Sequence, residues 1–241
     1  MVPFARIEIG TGGLPVCGRC GGAPENTWRS AQAVCDEVGA TARAWSGHGG
    51  ANIWFANADA FGHPELPTLV ECAASAGVVR VKVTTSGEAL GVGQNAAGCL
   101  HAGVRHAEIA LLGGSADVHD GLLTRAGAFD AALAGIGALR AAADDVGVAI
   151  SITGRVVVCR HNFEEVPAAI ATLARVGAHA AVVVVPPKTA WSLPAGWLAA
   201  VADTGVVNGM WVTFEGVDVT AHGVARLHAR APWDVLGGSS T

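Results

Sequence analysis

The sequence has no tyrosine, few charged residues and no long uninterrupted apolar run. The lack of tyrosine among 241 residues excludes tyrosyl acid–base and radical-relay chemistry. Charged residues make up only 15% of the chain, whereas 51% of it is hydrophobic. No stretch approaches the ~18 apolar residues that a membrane-spanning helix needs. The most apolar run, at 180–185, is therefore read as a fully buried strand.

Basic residues are also scarce, and this limits the partners. The net charge is −5, and the sequence has no run or patch of lysine and arginine. Electrostatic binding to nucleic acid or to an anionic membrane is therefore not expected. The first ten residues carry Arg6 and Glu8 and lack the apolar stretch of a signal peptide, so we expect a cytoplasmic protein.

The chain has six cysteines, which we expect to be reduced in that compartment. Only Cys17 and Cys20 form a C-x-x-C pair, which can place two thiolates on one metal. A zinc ribbon would need a second pair, which the sequence lacks. The other cysteines lie in alanine- or valine-rich stretches and are expected to be buried small apolar residues: Cys35, Cys72, Cys99 and Cys159.

Short strand patterns alternate with helical patterns at a spacing of roughly 30 residues. The predicted strands are 5–9, 52–55, 79–85, 107–112, 148–153, 179–185 and 210–214. The predicted helices are 27–45, 66–76, 86–102, 126–144, 162–176, 194–203 and 220–231, with Thr27 and Asn162 as N-caps. This alternation predicts an α/β fold with a parallel sheet, either an incomplete barrel or a doubly wound sheet, and ligands at the carboxyl ends of its strands.

Five blocks of sequence occur in an order and at a spacing that together point to one fold. They are 52–66, 79–87, 107–114, 119–120 with 127–130, and 148–153 with 160–165. The first runs from an apolar strand into His63-Pro64-Glu65-Leu66, and the fourth ends in Gly-Ala-Phe-Asp. Taken in order, these blocks resemble the second to fifth strands of the radical S-adenosylmethionine (SAM) enzymes and the turns that follow them.

The resemblance implies a partial (β/α)6-type TIM barrel as a single domain over residues 1–241, with its core at about 5–215 and a helix and tail at 216–241. It also implies a [4Fe-4S] cluster and SAM as cofactors. The family's cluster motif is C-x-x-x-C-x-x-C, because three thiolates leave one iron open to SAM. Cys17 and Cys20 match its second and third cysteines, whereas Gly13 stands at the first position.

The residues expected at SAM also depart from the family pattern. Asn57, Ala58 and Asp59 stand where the family has the Gly-Gly-Glu turn that binds the SAM ammonium group. Leu112 and Gly113 occupy the place of an acidic residue after the fourth strand. The candidate cofactor-binding residues implied by the resemblance are Asn57, Ala58, Asp59, Thr85, Ser86, Ser151 and Asn162. Asp59 has an alternative reading as a helix N-cap before His63.

These departures favour a radical SAM-like protein that serves as a non-catalytic partner of an active radical SAM enzyme in a biosynthetic pathway. We expect the two to form a heterodimer in which this chain holds a peptide or small-molecule substrate. One alternative is an active enzyme with atypical cluster ligation, completed by a residue such as His48 or by a partner chain. Another is a cluster-free or zinc-containing barrel that binds a small metabolite. His119 and Asp120 are expected to shape a loop, and Trp28, Trp45, Trp54 and Trp191 to pack helices or line the mouth of the site.

Overall fold

The structure is a computed structural model that describes residues 4–12, 27–91, 95–186 and 193–217. The chain divides into two compact units. The first unit comprises Met1–Leu14, Ala23–Ile109 and Ala131–Ile150, and the second comprises Pro15–Gly22, Ala110–Asp130 and Ser151–Thr241. The predicted helix at 220–231, the Cys17–Cys20 pair, Gly13 and Trp191 lie outside the described residues.

Strands and helices alternate through both units. The strands are β1 (Phe4–Gly12), β2 (Thr27–Trp28), β3 (Asn52–Ala58), β4 (Arg80–Thr85), β5 (Val104–Ala110), β6 (Ser151–Val157), β7 (Ala180–Val184) and β8 (Trp211–Glu215). The α-helices are α1 (Ala31–Trp45), α2 (Leu66–Ser75), α3 (Asn95–Ala102), α4 (Ala116–Leu123), α5 (Ala128–Val146), α6 (Val166–Arg175) and α7 (Trp197–Val207). Short 3₁₀ turns occupy Ser46–His48, Ala60–Gly62, Glu88–Gly91 and Phe163–Glu165.

In the first unit the strand order is β2-β1-β3-β4-β5. β1, β3, β4 and β5 are parallel, whereas the two-residue β2 runs antiparallel to β1 at the edge. In the second unit β6, β7 and β8 are parallel neighbours, in that order. The predicted α/β architecture with a parallel sheet is therefore confirmed.

The sheet of the first unit has one apolar face and one polar face. The apolar face is fully buried, with Ile7, Ile53, Phe55, Val83 and Ile109 each 0–1% exposed. Side chains alternate between the faces of a strand, so the residues between these positions form the polar face: Arg6, Glu8, Trp54, Lys82, Thr84, His106 and Glu108.

Most predicted elements have counterparts at shifted ends, but two helix predictions need correction and one helix was not predicted. The predicted helix 27–45 begins only at Ala31, with Ser30 as its N-cap, because Thr27 belongs to β2. The predicted helix 86–102 is a 3₁₀ turn followed by the shorter α3. The prediction missed α4, which carries His119 and Asp120.

The prediction of reduced thiols was wrong for two cysteines. Cys35 on α1 and Cys72 on α2 form a disulfide, with Cα atoms 5.8 Å apart. Sequence periodicity placed each cysteine on a helix, but it carries no information on which helices pack together. Cys99 is a buried free thiol, as predicted, whereas the free thiol of Cys159 is only partly buried.

A test for membrane-spanning helices over the described residues found no single helix that is long and apolar enough. One bent pair of helices, α4 with α5, meets the criteria of length and composition when the two are taken together.

Candidate functional site

Three parallel strands of the first unit end side by side, which is where ligands bind in folds of this kind. β1 ends at Gly12, β3 at Ala58 and β4 at Thr85. Five of the predicted site residues lie together at the ends of β3 and β4: Asn57, Ala58, Asp59, Thr85 and Ser86.

The end of β1 depends on a glycine. A Cβ atom at Gly10 would lie 2.2 Å from the Thr27 carbonyl oxygen, far inside van der Waals contact. Gly10 is paired with Trp28 in the β1–β2 ladder. The Arg29 amide extends this contact by donating to the Ile9 carbonyl oxygen at 3.0 Å. Glycine at this position therefore allows the returning chain to lie directly against β1.

Asn57 ties the end of β3 to β1. Its φ is +75°, in the left-handed region that asparagine tolerates better than most residues. Its Nδ2 donates to the Gly10 carbonyl oxygen at 3.3 Å, and its Oδ1 accepts from Arg6 at 3.3 Å. The structure thus gives Asn57 both the backbone geometry of a glycine and a side chain that links two strands.

Asp59 ties the end of β3 to β4. Its Oδ1 accepts from Thr85 Oγ1 at 2.5 Å, and its Oδ2 accepts from the Ser86 amide at 2.9 Å and also from Ser86 Oγ. The residue is only 6% exposed. Its side chain makes no capping hydrogen bond to the following 3₁₀ turn, so the alternative reading of Asp59 as a side-chain N-cap was wrong.

The turn after β4 is closed by further hydrogen bonds. Thr85 Oγ1, besides donating to Asp59, accepts from the Gly87 amide at 3.1 Å. Ser86 Oγ likewise accepts from the Glu88 amide at 3.3 Å. Thr85 is 0% exposed and Ser86 3% exposed. Both hydroxyl groups are therefore committed within the protein on their donor and acceptor sides.

This arrangement can be tested against the ammonium group of SAM. An ionised carboxylate has about four lone-pair sites for hydrogen bonds. Three donors from Thr85 and Ser86 already reach the Asp59 carboxylate, which has little exposed surface. About one lone-pair site of Asp59 is left for an ammonium, and the residue is largely buried, so Asp59 is poorly placed to bind SAM in the conformation described.

A histidine and a tryptophan pack beside this turn. His63 is 1% exposed, and its Nδ1 accepts from the Glu65 amide at 3.0 Å. The Trp28 and His63 ring centroids are 5.0 Å apart, in an edge-on arrangement. Burial lowers the pKa of His63, against the opposing effects of its hydrogen bond to the Arg29 carbonyl and of the nearby Glu65 carboxylate. His63 is therefore held neutral as a packing residue.

The polar face carries a buried ion pair that the sequence analysis did not identify. The Lys82 ammonium pairs with Glu108, and the two side chains are 4% and 0% exposed. Lys82 Nζ also lies 4.2 Å from the centroid of the Trp54 ring. Thr84 Oγ1 accepts from Trp54 Nε1 at 2.7 Å and donates to Glu108 at 3.5 Å. Charged residues at alternate positions of β4 and β5 were the sequence signal that could have revealed this face.

His106 stands in register with Lys82 on the neighbouring strand of the polar face. Burial, and secondarily the charges of Arg80 and Lys82, lower the pKa of His106 to about 4. Its ring meets the Phe4 ring edge-on, with centroids 5.9 Å apart. His106 is therefore neutral near pH 7 and adds no charge to this face.

The other two predicted site residues belong to the second unit. Ser151 begins β6, and Asn162 follows the far end of the same strand, so the two are not brought together. Asn162 is 1% exposed and makes no side-chain cap for the helical turn that follows. Its Oδ1 accepts from the Cys159 amide at 2.7 Å, and its Nδ2 donates to the Leu112 and Val157 carbonyls at 2.7 and 2.9 Å.

His119 and Asp120 of the second unit hold neighbouring backbone in place. His119 Nδ1 accepts from the Leu112 amide at 2.9 Å, and burial is the main reason that the pKa of His119 falls to about 4. Asp120 accepts from the Gly127 and Phe129 amides at 2.6 and 2.8 Å, around the start of α5. Both side chains thus do structural work.

The described residues were also tested as cluster ligands. Within those ranges, no group of three or more histidine, cysteine, aspartate or glutamate residues could hold a metal ion. Cys35 and Cys72 are joined to each other, and burial raises the pKa of the Cys99 thiol to about 12, so that it stays protonated. The described part of the chain therefore offers no three-thiolate site, and the predicted ligands Cys17 and Cys20 fall outside it.

Comparison with known proteins found similar proteins by structure alone. No protein-family model and no curated protein matches the sequence. Streptococcus suis SuiB bound to its precursor peptide SuiA is similar over 99% of this chain and 55% of its own, at 10% identity and a TM-score of 0.62. Native anSMEcpe with bound AdoMet is similar over 87% of this chain and 62% of its own, at 12% identity and a TM-score of 0.60. Methylornithine synthase (PylB) is similar over 88% and 64%, at 9% identity and a TM-score of 0.57.

These likenesses confirm the predicted fold class, the partial barrel of the radical SAM enzymes. The chain spans only about half the length of SuiB, with 45% of that chain covered in one structure and 55% in another. At such low identity the comparisons show the fold alone.

Proposed function

We propose that this protein is an accessory subunit with a radical SAM fold, which holds a peptide substrate for a separate, active radical SAM enzyme. In this proposal the two proteins form a heterodimer in the cytoplasm and act in a biosynthetic pathway. The accessory subunit performs no radical chemistry of its own. Its barrel supplies the shape of the family while its partner supplies the cluster and the bound SAM.

The observation that carries this proposal is the state of Asp59. Its carboxylate stands where the family's ammonium-binding carboxylate is expected, yet it receives three hydrogen bonds from Thr85 and Ser86. A carboxylate that already accepts three hydrogen bonds stabilises the turn after β4 and has little capacity left to bind a ligand. Its burial supports the same conclusion, because a ligand ammonium has to reach the oxygen atoms to bind them.

The cysteines support the accessory role as well. A cluster with one open iron needs three thiolates. The motif region offers Cys17 and Cys20 with Gly13 at the remaining position, and the Cys35–Cys72 disulfide removes two other thiols from use.

A peptide is the substrate class we favour. SuiB bound to the precursor peptide SuiA is similar over 99% of the length of the present chain. We extend the peptide from that protein to this one as a proposal, together with the biosynthetic setting.

The second candidate function is an active radical SAM enzyme with atypical cluster ligation. The retained Cys17–Cys20 pair and an acidic residue at the carboxyl edge of β3 favour it. It requires the Asp59 carboxylate to accept from SAM, beside or in place of its hydrogen bonds from Thr85 and Ser86. The two candidates therefore differ in what Asp59 does.

Anaerobic reconstitution with iron and sulfide, followed by titration with SAM, tests the proposal. An accessory subunit retains far less than a full cluster per chain and does not cleave SAM when a reductant is added. About four irons per chain together with reductive SAM cleavage would overturn the proposal. Tight zinc retention without affinity for SAM would instead favour a metabolite-binding barrel.

Calorimetry with SAM and S-adenosylhomocysteine on variants separates the first two candidates further. For an accessory subunit, Asp59→Asn leaves any SAM binding unchanged. For an active enzyme, Asp59→Asn weakens SAM binding while Asp36→Asn does not, because Asp36 is an exposed carboxylate on α1. Binding of the candidate peptide to the wild-type chain, measured with and without the partner enzyme, tests the substrate class.

A further inference from the structure

The disulfide of the first unit closes a loop around the candidate site. Cys35 on α1 and Cys72 on α2 are 37 positions apart in sequence. The segment between them contains all of β3 and the Asn57–Ala58–Asp59 turn. A covalent bridge at this place therefore constrains the part of the chain that carries Asp59.

The bridge lies at the rim of the packing between the two helices. α1 buries Val34 and Val38, and α2 buries Leu69 and Val70, each at 0% exposure. Cys35 and Cys72 are only partly buried, whereas Cys99 is fully buried. The apolar contacts remain when the bridge opens, so reduction loosens the helix pair without removing its core.

We propose that Cys35–Cys72 is a redox-responsive brace, which holds α2 against α1 when closed and releases the turn before α2 when open. The exchange consumes two small-molecule thiols and yields two protein thiols and one small-molecule disulfide. The two electrons pass from those thiols to the bridge, and glutathione is a suitable couple. This proposal stands independently of the accessory role proposed above.

The mechanical connection from the bridge to the site is short. α2 begins at Leu66, seven positions after Asp59, and the 3₁₀ turn Ala60–Gly62 lies in between. Asp59 is held to β4 by the Ser86 amide at 2.9 Å. When α2 gains freedom to move, this hydrogen bond opens more often, and the Ser86 amide becomes a reporter of the brace.

The first measurement asks whether the bridge responds to glutathione. The full chain is equilibrated in reduced or oxidised glutathione, alkylated and analysed by mass spectrometry. Cys35 and Cys72 are expected to be joined in the oxidised buffer and alkylated in the reduced buffer. Cys99 is fully buried and stays unmodified in both as an internal control. Free Cys35 and Cys72 in the oxidised buffer would overturn the proposal.

The second measurement asks whether the site senses the bridge. Hydrogen exchange of the Ser86 amide is expected to accelerate about tenfold or more on reduction, since a loop constraint of this length is lost. The Ile152 amide, which donates to His179 in the second unit, is expected to exchange equally in both buffers. Equal exchange of Ser86 in the two buffers would contradict a brace that acts on the site.

Variants give an independent check. In the double variant Cys35→Ser with Cys72→Ser, the Ser86 amide is expected to exchange as fast as in the reduced wild-type protein, in either buffer. Cys159→Ser is expected to keep the dependence of this exchange on glutathione. If the double variant fails to fold, the comparison of wild-type protein in the two buffers still decides the proposal. A double variant that folds and still responds to glutathione at Ser86 would refute it.

Discussion

Removing one charge of the buried ion pair on the polar face is expected to destabilise the protein more than removing both. Glu108→Gln leaves the Lys82 ammonium, whose side chain is 4% exposed, without its carboxylate partner. Removing one partner of a buried ion pair typically costs about 3–5 kcal/mol. Combining Glu108→Gln with Lys82→Met removes both charges, so we expect the double variant to be more stable than either single variant.

An exposed pair on the same face provides a matched control. Arg6 and Glu8 approach to 3.7 Å, and their side chains are 52% and 57% exposed. Pairs of this kind contribute about 0–1 kcal/mol, because water solvates each charge when its partner is lost. Arg6→Met and Glu8→Gln are therefore expected to show little coupling, in contrast to Lys82 and Glu108.

Urea unfolding followed by circular dichroism measures these differences. This signal is preferable to tryptophan fluorescence because Trp54 contacts Lys82 and would report the local change. The coupling energy follows from the two single variants and the double variant. The reasoning would be refuted if the free energy of unfolding of the double variant fell by the sum of the decreases in the two single variants. That result would show that the two charges do not compensate each other.

Three further changes test other parts of the structure, each by urea unfolding. Gly10→Ala places a Cβ atom 2.2 Å from the neighbouring backbone oxygen and is expected to lower the free energy of unfolding by about 1–3 kcal/mol. Gly47→Ala, where a Cβ atom would have no neighbour within 4 Å, is expected to be nearly neutral. Equal losses of stability in the two variants would contradict the close approach at Gly10. Asp59→Asn is expected to lower the free energy of unfolding by about 1–3 kcal/mol, because only one of the two side-chain atoms of an amide can accept a hydrogen bond from Thr85 or Ser86. An unchanged midpoint of urea unfolding would show that these hydrogen bonds do not hold the turn. The pKa of His119 is lowered to about 4, so the unfolded chain takes up a proton first as the pH falls from 6.5, and His119 contributes a loss of stability of about 3 kcal/mol over that window. His106, whose pKa is also lowered to about 4, contributes over the same window, so His119→Gln should remove only the His119 part of the pH dependence.

The strand and helix pattern was largely readable from the sequence because it depends on local periodicity. Buried runs such as 180–185 and the apolar positions of β3 and β4 follow from the alternation of strands with covering helices. The misplaced start of α1 shows the limit of local signals. Thr27 has the side chain of an N-cap, but pairing with β1 claimed it for a strand, and Ser30 took the capping position.

The composition of the candidate site was also partly predictable. The resemblance placed Asn57, Ala58, Asp59, Thr85 and Ser86 at neighbouring strand ends, and the structure brings them together. The partners of Asp59 were not predictable, because 26 positions separate it from Thr85, and a direct hydrogen bond between them depends on the register of β3 and β4. The same holds for Lys82 and Glu108, which meet only because their strands are neighbours.

The sequence by itself determined the α/β class, the relation to the radical SAM fold and the set of polar residues at the carboxyl edge. These depend on periodicity, order and residue type, all of which are written along the chain. Only the tertiary structure decided that Asp59 is bound by its own neighbours, that Cys35 and Cys72 join and that charges lie buried on one face of the sheet. Each of these is a contact between distant positions, and its energy depends on burial and distance, which exist only once the chain has folded.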